Sequence, residues 1–322
     1  MSILLRTTLL AVFAWATLSP AFASDPYPTR PVRVIVPFPA GGATDAIVRL
    51  VAQKLSDRYS QQFVVDNKPG GGTVIASDIA AKSAPDGYTL LVVTAAFAVN
   101  PSLQPNLPYD TARDFAPVTL ISSAPNVLVV HPSVPASSAK DLIEFAKANP
   151  RKLNYASAGN GSSNHLAGEM FRTMAGIDIV HVPYKGDAPS ITDLLGGQVQ
   201  MLFIGLAPVA QHISSGKLKA LAVTSPGPTS LVPGMPALAV TVPGFESQVW
   251  NGILAPARTP PEVINTLQME IARVLAQPET RDKILAMGFE PAGSTPAQFK
   301  WFLERETQRS AKVVSDARIK ID

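Results

Sequence analysis

Val32-Arg33-Val34-Ile35-Val36 followed by Pro37-Phe38-Pro39-Ala40-Gly41-Gly42 is the stretch that decides the fold. A short β-branched run reads as a strand, and the prolines and glycines end it. Ile47, Leu50, Val51 and Leu55 then recur at helical spacing. Strand, glycine loop and helix follow one another again at Phe63-Val64-Val65, Lys68 to Gly72 and Thr73 to Lys82, and Tyr88 to Val93 is a third strand. Strands alternating with helices predict parallel pairing, a sheet covered on both faces, and a ligand outside the carboxyl ends of the strands.

After Phe115 to Ile121 the plan restarts. A new strand is predicted at Val127 to Val130, and Ser138 with Asp141 has the spacing of a capping box for the next helix. Leu153 to Ala156 is a strand, Ser157 to Asn164 a Gly/Ser/Asn loop, and His165 to Met174 a helix; Ile179 to Pro183, Met201 to Ile204 and Leu218 to Val223 are further strands. The tail is mostly helical, since Thr259-Pro260-Pro261-Glu262 and Thr295-Pro296-Ala297-Gln298 are both helix starts. This pattern predicts an α/β fold of two lobes joined by a hinge, with a ligand cleft between them. The expected limits are 24–123 and 251–322 for lobe 1 and 124–250 for lobe 2, with the helical tail returning to one lobe.

Composition bounds the function. The chain has 322 residues, 46% hydrophobic and 16% charged, with no Cys and a formal charge of only +3. Its basic residues form no run, so nucleic acid is not an expected partner. Residues 1–23 carry one charge, Arg6, then an apolar stretch and the small-residue end Ala21-Phe22-Ala23, the pattern of a cleaved secretory signal peptide. The expectation is therefore an exported chain, not inserted in the membrane after cleavage. Without Cys there is no disulfide, thiolate metal site or lipid-modified cysteine.

Two loops are candidate anion sites. Gly41 and Gly42 lead into a helix, where backbone N–H groups converge at the positive end of the helix dipole. Gly159, Gly161, Ser162 and Ser163 offer the same in the second half. Facing loops can hold the carboxylate ends of one ligand without an Arg. Thr44 and Asp45 either contact ligand or cap the helix, and Asp45 repels a carboxylate unless the ligand carries an amine. Thr94 ends the third strand, with Ala95 and Ala96 leaving room for ligand. His165 either donates to a carboxylate or packs. Tyr184 and Gly186 follow a buried strand toward the same region, Lys185 steers anions from solvent, and Gly205 lines the floor. Phe38 and Phe97 are candidates for an apolar slot or for the core.

Catalysis is not supported. No G-x-S-x-G, G-x-G-x-x-G or phosphate-loop Lys is present, and His165 with Glu169 makes only two metal ligands, so neither a cofactor, a metal nor a secreted hydrolase is expected.

The chain resembles the substrate-binding proteins of tripartite tricarboxylate transporters, the Bug family. The resemblance rests on Val36-Pro37-Phe38-Pro39-Ala40-Gly41-Gly42-Ala43-Thr44-Asp45 with Arg49, Pro85 to Leu91, Leu107 to Asp110, Tyr155 to Leu166, His181 to Gly186, Asp193 to Val199, Gly216 to Ser225 and Trp250-Asn251-Gly252. It implies a type II periplasmic-binding-protein fold, a monomer in the periplasm. It also implies a small carboxylate ligand: a di- or tricarboxylate, an acidic amino acid or an aromatic acid. The partner is an inner-membrane permease or, alternatively, a sensor. The implied contacts include Ala40, Ser157, Gly159, Asn160 and Ser162. Thr224 to Leu231 and Ala239 to Val242 depart from the family pattern, in what is expected to be a surface loop.

Overall fold

The computed structural model describes residues 27–319, so the signal-peptide segment lies outside the described residues. The elements run β1 (Val32–Val36), α1 (Ala43–Tyr59), β2 (Phe63–Asn67), α2 (Val74–Ala81), β3 (Thr89–Val93), α3 (Ala95–Leu103), β4 (Phe115–Val130), α4 (Ala139–Ala148), β5 (Asn154–Ser157) and α5 (Ser163–Ala175). They continue with β6 (Val180–Pro183), α6 (Asp187–Leu195), β7 (Met201–Gly205), α7 (Ala210–Ser214), β8 (Lys219–Val223), β9 (Gln248–Pro256), α8 (Pro261–Ala276), α9 (Pro278–Ala286), β10 (Glu290–Pro291) and α10 (Pro296–Ala317). Ten strands form one sheet in the order β2-β1-β3-β9-β4-β7-β5-β6, with β8 and β10 also paired to β4.

The repeated strand–loop–helix plan gives parallel pairs: β1 with β2 and β3, and β5 with β6 and β7. Alternating side chains then cover both faces. Val34, Val36, Leu90 and Val92 pack under α1 and α8, whereas Ile35, Leu91 and Val93 pack with Ala76, Phe97 and Phe299 on the other face. The other half repeats this, Leu128 and Phe203 lying against α4 and α5, Val129 and Leu202 against Leu194 of α6.

The structure corrects the expected break between Ile121 and Val127, because β4 runs through it as one strand of 16 residues. Residues Phe115 to Pro125 pair antiparallel with β9, while Asn126 to Val130 pair with β7 and Val127 to Val130 with β8. Where β9 gives way to β8, the N–H of Asn126 donates to Thr224 Oγ1 at 2.7 Å, and the Thr224 proton goes to the carbonyl of Asn126 or Ser247. Thr224, at the start of the stretch that departs from the family pattern, is thus wholly buried and fills the gap between two strands. Val240, in the other departing stretch, is 80% exposed.

The tail also differs from expectation. Helices α8 and α9 stay on the β1–β3 part of the sheet, but α10 crosses both parts: Phe299 packs on Trp250 beside α3, and Val313 enters the core under α5. Midway, Glu246 accepts from Arg305 at 2.8 Å and Arg309 at 2.7 Å, and Arg309 also reaches Glu306 at 2.7 Å. Gly252 makes the approach possible, since a Cβ there would lie 2.1 Å from Phe299. At Ser138 the reciprocal box is incomplete: Ser138 caps Asp141 N–H, but the Asp141 carboxylate turns to Ser137.

Thr224→Val keeps the shape and removes the hydroxyl, leaving the Asn126 N–H without a partner. We expect a loss of about 1–3 kcal/mol, the usual cost of an unsatisfied buried group, by chemical denaturation, and substantial recovery in Thr224→Ser.

Candidate functional site

Pro37 and Pro39 have no N–H to offer the sheet, so β1 stops at Val36 and the chain turns into α1. Gly41 takes φ +94, a conformation open to glycine, and Gly42 is the extended N-cap of α1 with no side-chain cap bond. The first helical bond runs from Ala46 N–H to Gly42 O at 2.9 Å, so the N–H groups before it require other partners. A Cβ at Gly42 would meet nothing within 4 Å, which marks open space in front of the helix end.

The loop is braced from behind. Asp45 accepts from Gly41 N–H at 3.0 Å, Arg49 Nε at 2.9 Å and Asn67 Nδ2 at 2.9 Å, and Asn67 also donates to Phe38 O. Burial opposes the Asp45 charge, but the bonds from Arg49, Gly41 and Asn67 outweigh it and hold the carboxyl below its ordinary range. Asp45 is therefore neither the helix N-cap nor a free charge, and Gly41 N–H is already committed. The remaining N–H groups at this helix end are those of Gly42, Ala43, Thr44 and Asp45. Thr44 donates through Oγ1 to Asn251 Oδ1 at 2.8 Å, and Asn251 donates to Ser122 Oγ at 3.1 Å, tying the loop to β9 and β4.

This helix end opens into a cavity of about 630 Å³. Phe38, Ala40, Gly42, Thr44, Asp45 and Gly205 line it among the expected residues, and Gly41 sits in the same loop. Sequence reasoning missed Ala124 and Val249 of the long strands, Asp187, the segment Leu206 to Pro208, and the turn Met287-Gly288-Phe289. Only proximity in space joins these, although Gly288 at φ +82, where a Cβ would touch Ala207 at 3.1 Å, was a readable turn signal.

The second loop is not brought to this cavity. Ser157 Oγ bonds to Gly159 O and His181 Nε2, Ser162 Oγ donates to Gly159 O at 2.6 Å and caps His165 N–H, and Gly186 N–H donates to Ala158 O. Tyr184 donates its hydroxyl to Asp193, and burial followed by that carboxylate pushes its pKa up to about 12. Asn160 and His165 line a separate cavity beside Arg172 and Arg318. Thr94 is the extended N-cap of α3, and Ala95, in that helix, borders a small cavity of about 30 Å³ with Glu246 and Arg309. Phe97 belongs to the core, stacked on Tyr109 and edge-on to Phe115. Lys185 is exposed. His165 and Glu169 do not form a metal site: Glu169 pairs with Arg172 and accepts from Tyr155, and no larger candidate group occurs among the described residues.

His165 accepts Gly161 N–H through Nδ1 at 3.0 Å and stacks on His181, ring centroids 3.9 Å apart, with Tyr155 beyond. Burial lowers the His165 pKa, and burial together with the neighbouring His165 lowers that of His181 to about 4.

Strand ends and a helix N-terminus that open onto a shared cavity make a ligand-binding site of the kind doubly wound sheets carry. The chain matches the tripartite tricarboxylate transporter family receptor (TctC) over residues 47–319, and it belongs to that family. It is 38% identical over 322 residues to Protein BugT of Bordetella pertussis, covering 98% of this chain and 99% of BugT. Among solved structures it resembles R. palustris Rpa4515 with adipate at 38% identity and a TM-score of 0.79, covering 91% of this chain and 99% of that one. MatC from Rhodopseudomonas palustris with bound malate is 28% identical with a TM-score of 0.74, covering 89% of this chain and 100% of that one. The family is one of periplasmic solute-binding proteins, not enzymes, and among the described residues no helix is long and apolar enough to cross a membrane.

The stacked histidines give a pH signature. An imidazole with a folded pKa below its ordinary 6.5 lends stability that is full above 6.5 and lost as pH falls toward about 4. The depressed Asp45 loses its contribution only at lower pH, below the ordinary carboxyl value of 3.8. Thermal unfolding should therefore show a falling midpoint from pH 6.5 to 4, with a shallower slope in His181→Gln.

Proposed function

We propose that the protein is a periplasmic receptor that captures a small carboxylate between two lobes and delivers it to the inner-membrane permease of a tripartite tricarboxylate transporter. The observation that carries this reading is the end of α1. Its N–H groups face a cavity of about 630 Å³, while Asp45, the charge that would repel an anion, is already held by Arg49, Asn67 and Gly41. A carboxylate there gains backbone donors and the helix dipole in a partly dry site. The adipate and malate bound to the two structural relatives support the ligand class.

In this reading residues 24–123 with 251–322 and residues 124–250 act as the lobes, and β4 and β9 form the hinge between them. Closure brings Ser157, Gly159, Asn160 and Ser162 toward ligand held by the first loop, on whose own lobe Thr94 and Ala95 already lie, and the closed surface is what the permease reads. The chain acts as a monomer, exported by its N-terminal signal peptide, and needs no cofactor.

Gly42 has φ −78, so a side chain fits its backbone and projects into the open space before α1. Gly42→Val should weaken carboxylate binding at least ten-fold in calorimetry while costing the ligand-free protein only the roughly 1 kcal/mol of a poorer helix N-cap. Unchanged affinity would place the carboxylate elsewhere. For the unaltered protein, a bound acid at a hundred times its Kd should add about 2.7 kcal/mol of stability, seen as a raised melting temperature. Mass spectrometry of the natively purified protein then identifies any acid that is retained.

A further inference from the structure

The cavity's charges narrow the ligand further, on the basis that it is the carboxylate site proposed above. Among the described residues that line it there is no Lys, Arg or His. Its walls are largely apolar, with Phe38, Ile204, Leu206, Val249, Met287 and Phe289 among the lining residues. One carboxylate can be met by the end of α1. A second would find either hydrocarbon, which costs its hydration, or another negative charge.

That other charge is Asp187. It is the first residue of α6 and lines the same cavity from the half of the sheet that does not carry α1. Its Oδ1 accepts from Asn164 Nδ2 at 2.9 Å, and Asn164, itself buried, accepts from Ala158 N–H at 3.2 Å. The β5–α5 corner thus holds the carboxylate in place through an amide, and among the described residues no cation pairs with it. Asp45, in contrast, is neutralised by Arg49. The cavity therefore presents donors at one wall, an acceptor at another and hydrocarbon between.

We infer that the ligand is a monocarboxylate with an apolar body and a hydrogen-bond donor, an ammonium or hydroxyl group, at its far end, where Asp187 receives it. Such a molecule matches each wall in turn, and a cavity of about 630 Å³ has room for an aromatic ring with substituents at both ends. Symmetrical dicarboxylates, such as the adipate seen with Rpa4515, fit this charge pattern poorly. Asp187 is then the residue that sets specificity, because it rejects a second carboxylate as well as attracting a donor.

Calorimetry with para-substituted benzoates tests this. 4-(Aminomethyl)benzoate and 4-hydroxybenzoate share a ring and one carboxylate with terephthalate and differ at the far end. We expect 4-(aminomethyl)benzoate to bind at least ten-fold more tightly than terephthalate, with 4-hydroxybenzoate between them. Asp187→Asn should shrink that preference at least five-fold by weakening the amine and strengthening the diacid. Asp187 is exposed, so the variant spares the core, and its unfolding midpoint verifies that. Terephthalate or adipate binding as tightly as the amine, or an unchanged preference in Asp187→Asn, overturns the assignment while leaving a carboxylate receptor intact. Failure of every acid tested, malate included, overturns the receptor reading itself and this inference with it.

Discussion

Backbone hydrogen bonding along β4 is the constraint from which the rest of the structure follows. At about 3.3 Å per residue its 16 residues span roughly 50 Å, and buried N–H and C=O groups must be paired throughout. No single neighbour does this. One part is satisfied by β9 and β10, the remainder by β7 and β8, and the handover is made by the hydroxyl of Thr224. Both halves of the sheet are therefore strung on one strand, and a bend at the handover would move them relative to each other without opening either core.

The same junction organises the cavity. Ala124 and Val249 belong to the paired strands, Gly205 ends β7, and Thr44 reaches β9 through Asn251. The first glycine loop is thus coupled by side-chain hydrogen bonds to the strands that cross the molecule. Its chemistry depends on a division of labour at the end of α1. Asp45, Arg49 and Asn67 consume one another's charge and polarity behind the loop, so that uncommitted N–H groups face outward. An Arg in the cavity would bind an anion more strongly, but it would need its own desolvation offset in the empty state.

The long α10 adds a second connection between the halves. Phe299 and Val313 lie in different cores, and Glu246, next to the start of β9, holds Arg305 and Arg309 between them. A partly buried ion network of this kind is sensitive to geometry. Any rotation about the strand crossing must either carry α10 along or rearrange these pairs, so the helix limits the motion as well as completing the fold.

Local chemistry made much of this readable in advance. β-Branched runs closed by Pro and Gly announced β1, β2 and the parallel pairing, and Thr295-Pro296-Ala297-Gln298 announced the start of α10, which the structure closes with a capping box. Gly41 and Gly42 marked the loop before α1, because a positive φ and an unobstructed helix end both favour glycine. What the chain could not announce was anything that depends on which distant residues meet. Asp45 looked like a repelling charge until folding placed Arg49 and Asn67 on it, and His165, readable either as a donor or as a packed ring, stacks against His181. Met287, Phe289 and Asp187 carried no signal in the sequence, yet they wall the cavity. Periodicity reports which face of an element is buried; only the packed structure decides what lies opposite that face, since pairing across the sheet is set by long-range complementarity.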